Sequence, residues 1–464
     1  MRADGLGNPI TTENDATLAA IDDFVEGFLA YETRATNVLG AAERDPSSAL
    51  ANTYAGMIWM LLEAPEGPAR AAKYLARAQA ARAGATRREQ LAVDMLAAWS
   101  QDDVPAALAL CDTIIAATPR DLVMVKISQY LNFNLGRFTE MLRVALAVLE
   151  ANREVAYAHG MAAFAYEQCH LLDEAEAAAR EALRLKPKEP WAQHALAHVM
   201  ITQGRIDEGA RFLEGVQDGW SDLNSFMLTH LWWHLALFYL SQGRESRVLH
   251  LYDRHIWGVA KDYSQDQIGA VSLLARLELD GIEVGDRWVD VGRFLAERAE
   301  DTTQPFLSVQ YLYGLARAGR PEAGALISAI RAKAADAPTF ARRAWVEVAL
   351  PLAEGLMAFT HGDYTSATRT LSPILPHLSE IGGSHAQRDL FEQVRLAAVI
   401  RSGDLATAQQ LLEMRRMGDR NGVPVNRALA KVYAALGLPT EAAKASERAH
   451  RTKAAHSSPI GLHA

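Results

Sequence analysis

The chain has two cysteines in 464 residues, Cys111 and Cys169. That number excludes a disulfide framework, their spacing is not that of a structural zinc module, and a reducing compartment follows. Long apolar runs are also missing. The greasiest stretch, 231–240, is interrupted by His234 and falls well short of the roughly 20 residues a membrane-spanning helix needs. The opening segment MRADGLGNPITTENDATLAA lacks the continuous apolar core of a secretory signal. No GxxxxGK[ST] phosphate loop, GxSxG elbow, HExxH or CxxC occurs, and no alternating strand pattern of useful length. Positive charge is in deficit, with 47 basic against 56 acidic residues and a net charge of -9, and no basic stripe offsets it locally. These absences predict a cytoplasmic protein with neither a membrane nor a nucleic-acid partner.

What is present is apolar residue content sufficient for a large core, 50% of the chain, with 22% charged residues, as in folded soluble chains. The length would ordinarily divide into two to four domains, but internal repetition changes that arithmetic. Segments of one type recur as QDDVPAAL, LGRFTEML, CHLLDEAE and QGRIDEGA, with turns at Asp102, Gly136, His170 and Gly204, each 34 residues after the last. That step is the length of a tetratricopeptide repeat, two antiparallel helices in contact through small residues. Gly403 and Gly437 repeat the step near the C-terminus. Between Gly204 and Gly403 the period stretches and Gly243 to Gly319 reads as an irregular two-repeat stretch, while helical periodicity persists. The expected fold is an all-α, tetratricopeptide-like solenoid of helical hairpins, divergent in the middle. Residues 1–12 are expected as an extended lead-in, 13–450 as a single solenoid and 451–464 as a mobile tail.

Histidine is concentrated between Trp191 and His255, in WAQHALAHVM, THLWWHLALFYLSQG and LYDRHIWG. Two HxxxH pairs result, His194 with His198 and His230 with His234. Residues four apart on a helix share a face, so each pair can aim two imidazoles at one point. Counting back from the turn glycines places His194, His198, His230 and Trp233 on the concave side of adjacent first helices, with His234 one step around. Neutral imidazole is the commonest zinc ligand and also suits iron, copper or nickel. Two readings remain open: a pocket for a peptide or small polar molecule, and a divalent metal such as zinc held by His194, His198, His230 and His234 in a hydrolase or lyase. Tyr157 and Glu167 take groove-facing positions in the preceding repeat, and in the enzymatic reading Glu167 is the candidate general base. A further patch, IGGSHAQRDLFEQV, sets His385, Arg388 and Asp389 in the first turn after Ser384, a plausible N-cap. It reads either as an anion-holding helix start or as a capped helix that ties repeats together.

The segments WAQHALAHVM, HLWWHLALFYLSQGR, LYDRHIWG, VSLLARLELDGIEVGDRWVDV and IGGSHAQRDLFEQV resemble the tetratricopeptide repeat protein 38 family. The resemblance extends over nearly the whole chain and implies one helical-repeat body. It places His194 and His198 on the family's HxxxH segment, His230, Trp233 and His234 on its H-x-x-W-H segment, and Ser384, Arg388 and Asp389 on its GGS-x-AQRD segment. Gln310 stands where the family pattern carries a histidine. The resemblance brings no settled activity with it.

Overall fold

The computed structural model describes residues 2–457. Its first residues form a small antiparallel ribbon, β1 (Arg2–Ala3) against β2 (Pro9–Ile10), and the remainder is helical. Two compact units result. The N-terminal unit comprises residues up to Leu196 together with Gly219–Met227, and the C-terminal unit comprises Ala197–Asp218 and residues from Leu228 onward.

Five helix pairs lie in the N-terminal unit: α1 (Asp15–Leu29) with α2 (Asn37–Arg44), α3 (Ala49–Met60) with α4 (Gly67–Ala81), α5 (Arg87–Ser100) with α6 (Val104–Ala117), α7 (Leu122–Asn134) with α8 (Phe138–Leu149), and α9 (Ala156–Gln168) with α10 (Leu172–Leu185). The next helix, α11 (Pro190–Thr202), is shared between the units and pairs with α12 (Ile206–Val216). Next come α13 (Ser225–Ser241) with α14 (Glu245–Leu251), α15 (Ser264–Leu279) with α16 (Arg287–Leu295), and α17 (Pro305–Arg317) with α18 (Glu322–Ala335). The last pairs are α19 (Leu350–Thr360) with α20 (Tyr364–Leu371), α21 (His385–Arg401) with α22 (Leu405–Gly418), and α23 (Val423–Ala435) with α24 (Pro439–Ala455).

Every pair turns at one residue in the left-handed region: Tyr31, Glu63, Asp102, Gly136, His170, Gly204, Gly243, Gly281, Gly319, Gly362, Gly403 and Gly437, at φ between 53° and 87°. The turn closes the first helix by a paired cap. At Gly136 the glycine N–H donates to the Phe133 carbonyl at 3.0 Å and the next N–H, of Arg137, donates to that of Asn132 at 2.8 Å. Two orphan carbonyls are thereby satisfied, and the chain is sent back antiparallel. The same pair of bonds recurs at Gly204 and Gly243. The stretch between Gly243 and Gly319 that looks irregular in sequence is two regular repeats of 38 residues, divided by Gly281. The longer repeats beyond it absorb their extra residues in a π-helical turn at Ala344–Ala349 and a 3-10 segment at Leu375–Ile381.

First helices such as α7, α15 and α17 are buried nearly all round, as their near-continuous apolar sequences require. Second helices such as α10 bury one stripe, Ala175, Ala179 and Ala182, and carry charge outside. The N-terminal core is led by Phe24, Tyr54, Met95, Leu96, Met124 and Ile127. In the C-terminal unit the late helices return to the early ones. Ser241 donates to Asp419 at 2.6 Å, Arg427 bridges Glu245 and Asp280, Lys453 reaches Glu245 at 2.9 Å, and His456 meets Asp207 at 3.0 Å. This unit is therefore wound closed on itself. Of the segment expected as a C-terminal tail, residues to Ala455 are helical, and those from 458 onward lie outside the described residues.

Candidate functional site

Helices α11, α13, α15 and α21 bring the C-terminal unit's imidazoles together. His230 and His234 are successive-turn neighbours on α13, and their Nε2 atoms stand 3.3 Å apart with the rings edge to face at 88°. His198, on α11, sets its ring 4.5 Å from that of His234 and 5.3 Å from that of His385, the first residue of α21. His198, His230 and His234 each offer a ring nitrogen within 4.8 Å of the others. Thr202, one turn beyond His198, fixes His385 through a 2.9 Å contact between its hydroxyl and Nε2.

A stacked array supports the cluster. His230 lies parallel to Trp233 at 5.3 Å, and Arg276 of α15 places its guanidinium 5.4 Å from the indole. Arg276 is almost wholly buried and is held by Ser272 on its own helix and by the Ala386 carbonyl at 2.8 Å. Burial lowers its guanidinium to about 10, against the opposing pull of Asp389. Burial would raise the Asp389 carboxyl, but Arg415 at 2.5 and 2.7 Å, with Arg276 beyond, holds it well below the carboxylate range. Burial, with His198 adding to it, pushes the His230 imidazole down to about 3, so the ring is neutral. Two buried donors, Trp233 Nε1 and Gln310 Nε2, have no hydrogen-bond acceptor among the described residues. Gln310 is one turn along α17 from Phe306, whose ring packs on Gly383 just before α21.

Ser384 accepts from the Gln387 N–H at 3.3 Å while Gln387 accepts from the Ser384 N–H at 2.9 Å, a reciprocal cap that satisfies the start of α21. Arg388 donates to the Gly383 carbonyl, and Asp389 ties α21 to α22 and α15. His194 belongs to the N-terminal unit, stacked on Trp191 at 4.5 Å and against Phe164 at 5.1 Å. There too Glu167 is fully buried, accepting from Gln168 Nε2 at 2.6 Å. Tyr157 is engaged by Lys186 and donates to Glu26 at 3.2 Å. Burial pushes the Cys111 thiol far up and that of Cys169 up as well, which suits neither to nucleophilic chemistry. Sequence reading missed Thr202 and Arg276. Thr202 carried a signal, since HxxxT repeats the one-turn spacing that flagged the histidines.

No protein-family model matches the chain. Similar solved structures include the human IFIT1 dimer with m7Gppp-AAAA, at TM-score 0.43 and 13% identity over 95% of each chain, and the same dimer with PPP-AAAA, at TM-score 0.42 and 14% identity over 95% of each. The P58(IPK) TPR domain matches at TM-score 0.22 and 12% identity, over 81% of this chain and 94% of that one. All three are helical-repeat likenesses, and the fold assignment rests on the hairpins and turns described above. One expectation is corrected. The expectation of no nucleic-acid partner is not kept; the similar IFIT1 structures hold capped or triphosphorylated AAAA. A total of -9 sums over the whole surface and does not set the field inside a concave site. No helix among the described residues is long and apolar enough to cross a membrane.

Proposed function

We propose that this chain is a cytoplasmic helical-repeat binding protein, related to the tetratricopeptide repeat protein 38 family, whose C-terminal unit receives a small polar ligand at His198, His230, Trp233, His234 and His385. The observation that carries the reading is the convergence of three imidazoles beside a buried Trp233 N–H for which the described residues supply no acceptor. Leaving such a donor unmet costs about 1–3 kcal/mol, and a polar ligand or ordered water relieves that cost. Closure of the unit favours a small molecule over an extended peptide, which requires an open track. The helices are in place before binding, so little ordering is paid on the protein side. The resemblance supports the family reading because its distinctive segments supply these side chains.

The test is a thermal-shift screen of the full-length protein against phosphate, dicarboxylates, amino acids and short adenylate oligonucleotides, run in parallel on His230→Ala. At least one small polar probe is expected to raise the melting temperature of the wild-type chain and not of the variant. No response to any small probe, or an equal response from both proteins, contradicts the reading.

A further inference from the structure

The His230 and His234 nitrogens face each other across 3.3 Å. Two imidazoles bound to one tetrahedral zinc, with bonds of about 2.0–2.1 Å, stand about 3.3–3.4 Å apart by simple trigonometry. The contact is also an imidazole–imidazole hydrogen bond, in which one ring's N–H donates to the other ring's nitrogen. The same separation matches the edge length of a coordination tetrahedron, so an ion could replace the shared proton without moving either ring far. His198 offers the third donor from a different helix, within 4.8 Å of both. Rotation of a histidine about its broad second side-chain torsion carries a ring nitrogen the remaining distance without moving the backbone.

We propose that His198, His230 and His234 hold one divalent first-row metal ion, zinc by the character of an all-imidazole donor set, with a fourth position open. The proposal rests on the reading that these rings share one binding centre and names the ion that occupies it. All-nitrogen donation selects against magnesium and calcium, which require oxygen ligands. Three neutral ligands leave the ion's charge uncompensated, which suits the open position to water or an anionic oxygen. His385, anchored by Thr202, brings a further ring nitrogen within 4.8 Å of one of His198.

The experiment uses the full-length, untagged protein, stripped with a chelator and titrated with Co²⁺ followed by optical absorption, then with Zn²⁺ in competition. One cobalt per chain with a tetrahedral visible band, displaced by one zinc, is expected. His198→Ala, His230→Ala and His234→Ala should each weaken binding at least about a hundredfold, since losing even a hydrogen-bond partner of a ligand costs 10–100-fold. His377→Ala, at an exposed histidine, should not. Circular dichroism checks folding, and should the buried His234→Ala variant not fold, His230→Gln at a partly exposed position takes its place. Absence of stoichiometric binding, or binding indifferent to all three ligand variants, overturns the proposal. No stoichiometric metal binding while small polar probes still bind overturns the metal and leaves the pocket reading intact. A tightly bound ion with no response to any probe upholds the metal and removes the pocket reading.

Discussion

Arg276 and Ala386 are 110 positions apart, and the Arg276 guanidinium donates to the Ala386 carbonyl at 2.8 Å. This bond, with the Arg276–Asp389 pair at 3.9 Å, holds the first turn of α21 against α15. Arg276→Met keeps the aliphatic stem but leaves a buried carbonyl and the Ser272 hydroxyl without their donor. A loss of about 2–4 kcal/mol is expected in urea unfolding, with altered Trp233 emission as its cationic neighbour is removed. A change below about 1 kcal/mol would mean the contact is dispensable.

Gly204 and Gly319 share a left-handed turn, at φ of 69° and 65°, but differ in surroundings. A Cβ at Gly204 would sit 2.3 Å from the Gly418 carbonyl oxygen, whereas at Gly319 nothing lies within 4 Å. Gly319→Ala should cost only the conformational term, about 1–2 kcal/mol. Gly204→Ala should cost about 3 kcal/mol or more, because a backbone group in the closing helix α22 must move. Equal losses in paired denaturation curves would show that closure at Gly418 contributes little.

Glu189 in the N-terminal unit is fully buried, and burial raises its carboxyl to about 7 against the opposing hydrogen bond from the Ala192 N–H and the charge of Lys126. Its folded value lies above the unfolded one, so between about 4.5 and 7 the folded chain binds more protons than the unfolded chain. The stability tied to this group is complete below pH 4.5 and declines as pH rises through 7, by about 3 kcal/mol at most. Glu189→Gln cannot ionise, and urea unfolding across that window should show a flatter profile for the variant. Parallel profiles would remove Glu189 as the source.

Thr202→Val removes the hydroxyl that fixes His385 while preserving side-chain shape. Stability should change by no more than about 1.5 kcal/mol. Affinity for whichever small probe binds the wild-type chain should fall about tenfold as the ring becomes free to turn. Retention of full affinity would place His385 outside the site.

Turn positions were legible because a left-handed residue demands glycine or a tolerant substitute, and nine of the ten turns from Asp102 onward are marked either by the 34-residue step or by a glycine between helical runs. Tyr31 and Glu63 hold the same conformation without glycine and leave no compositional mark. Gly281 was hidden because Gly285 follows closely and the sequence after it does not repeat the segment type seen at the earlier turns. The HxxxH pairs announced which face each imidazole occupies, since helical spacing is a local property. The approach of His385 to His198 and the role of Arg276 depend on closure of the C-terminal unit across more than a hundred residues, which no local pattern encodes. The start of α21 shows the converse: Ser384 and Gln387 are recognisable as a cap from sequence, whereas the commitment of Asp389 to Arg415 is not.

The account turns on His198, His230 and His234 sharing one centre. A crystal structure of the untagged full-length protein, with density inspected between α11 and α13, tests this most directly. The predicted result is a single occupant in contact with all three imidazoles, with His230 and His234 still facing each other at about 3.3 Å. Rings turned away from one another, each nitrogen bonded to a separate backbone group or to bulk water, would contradict it.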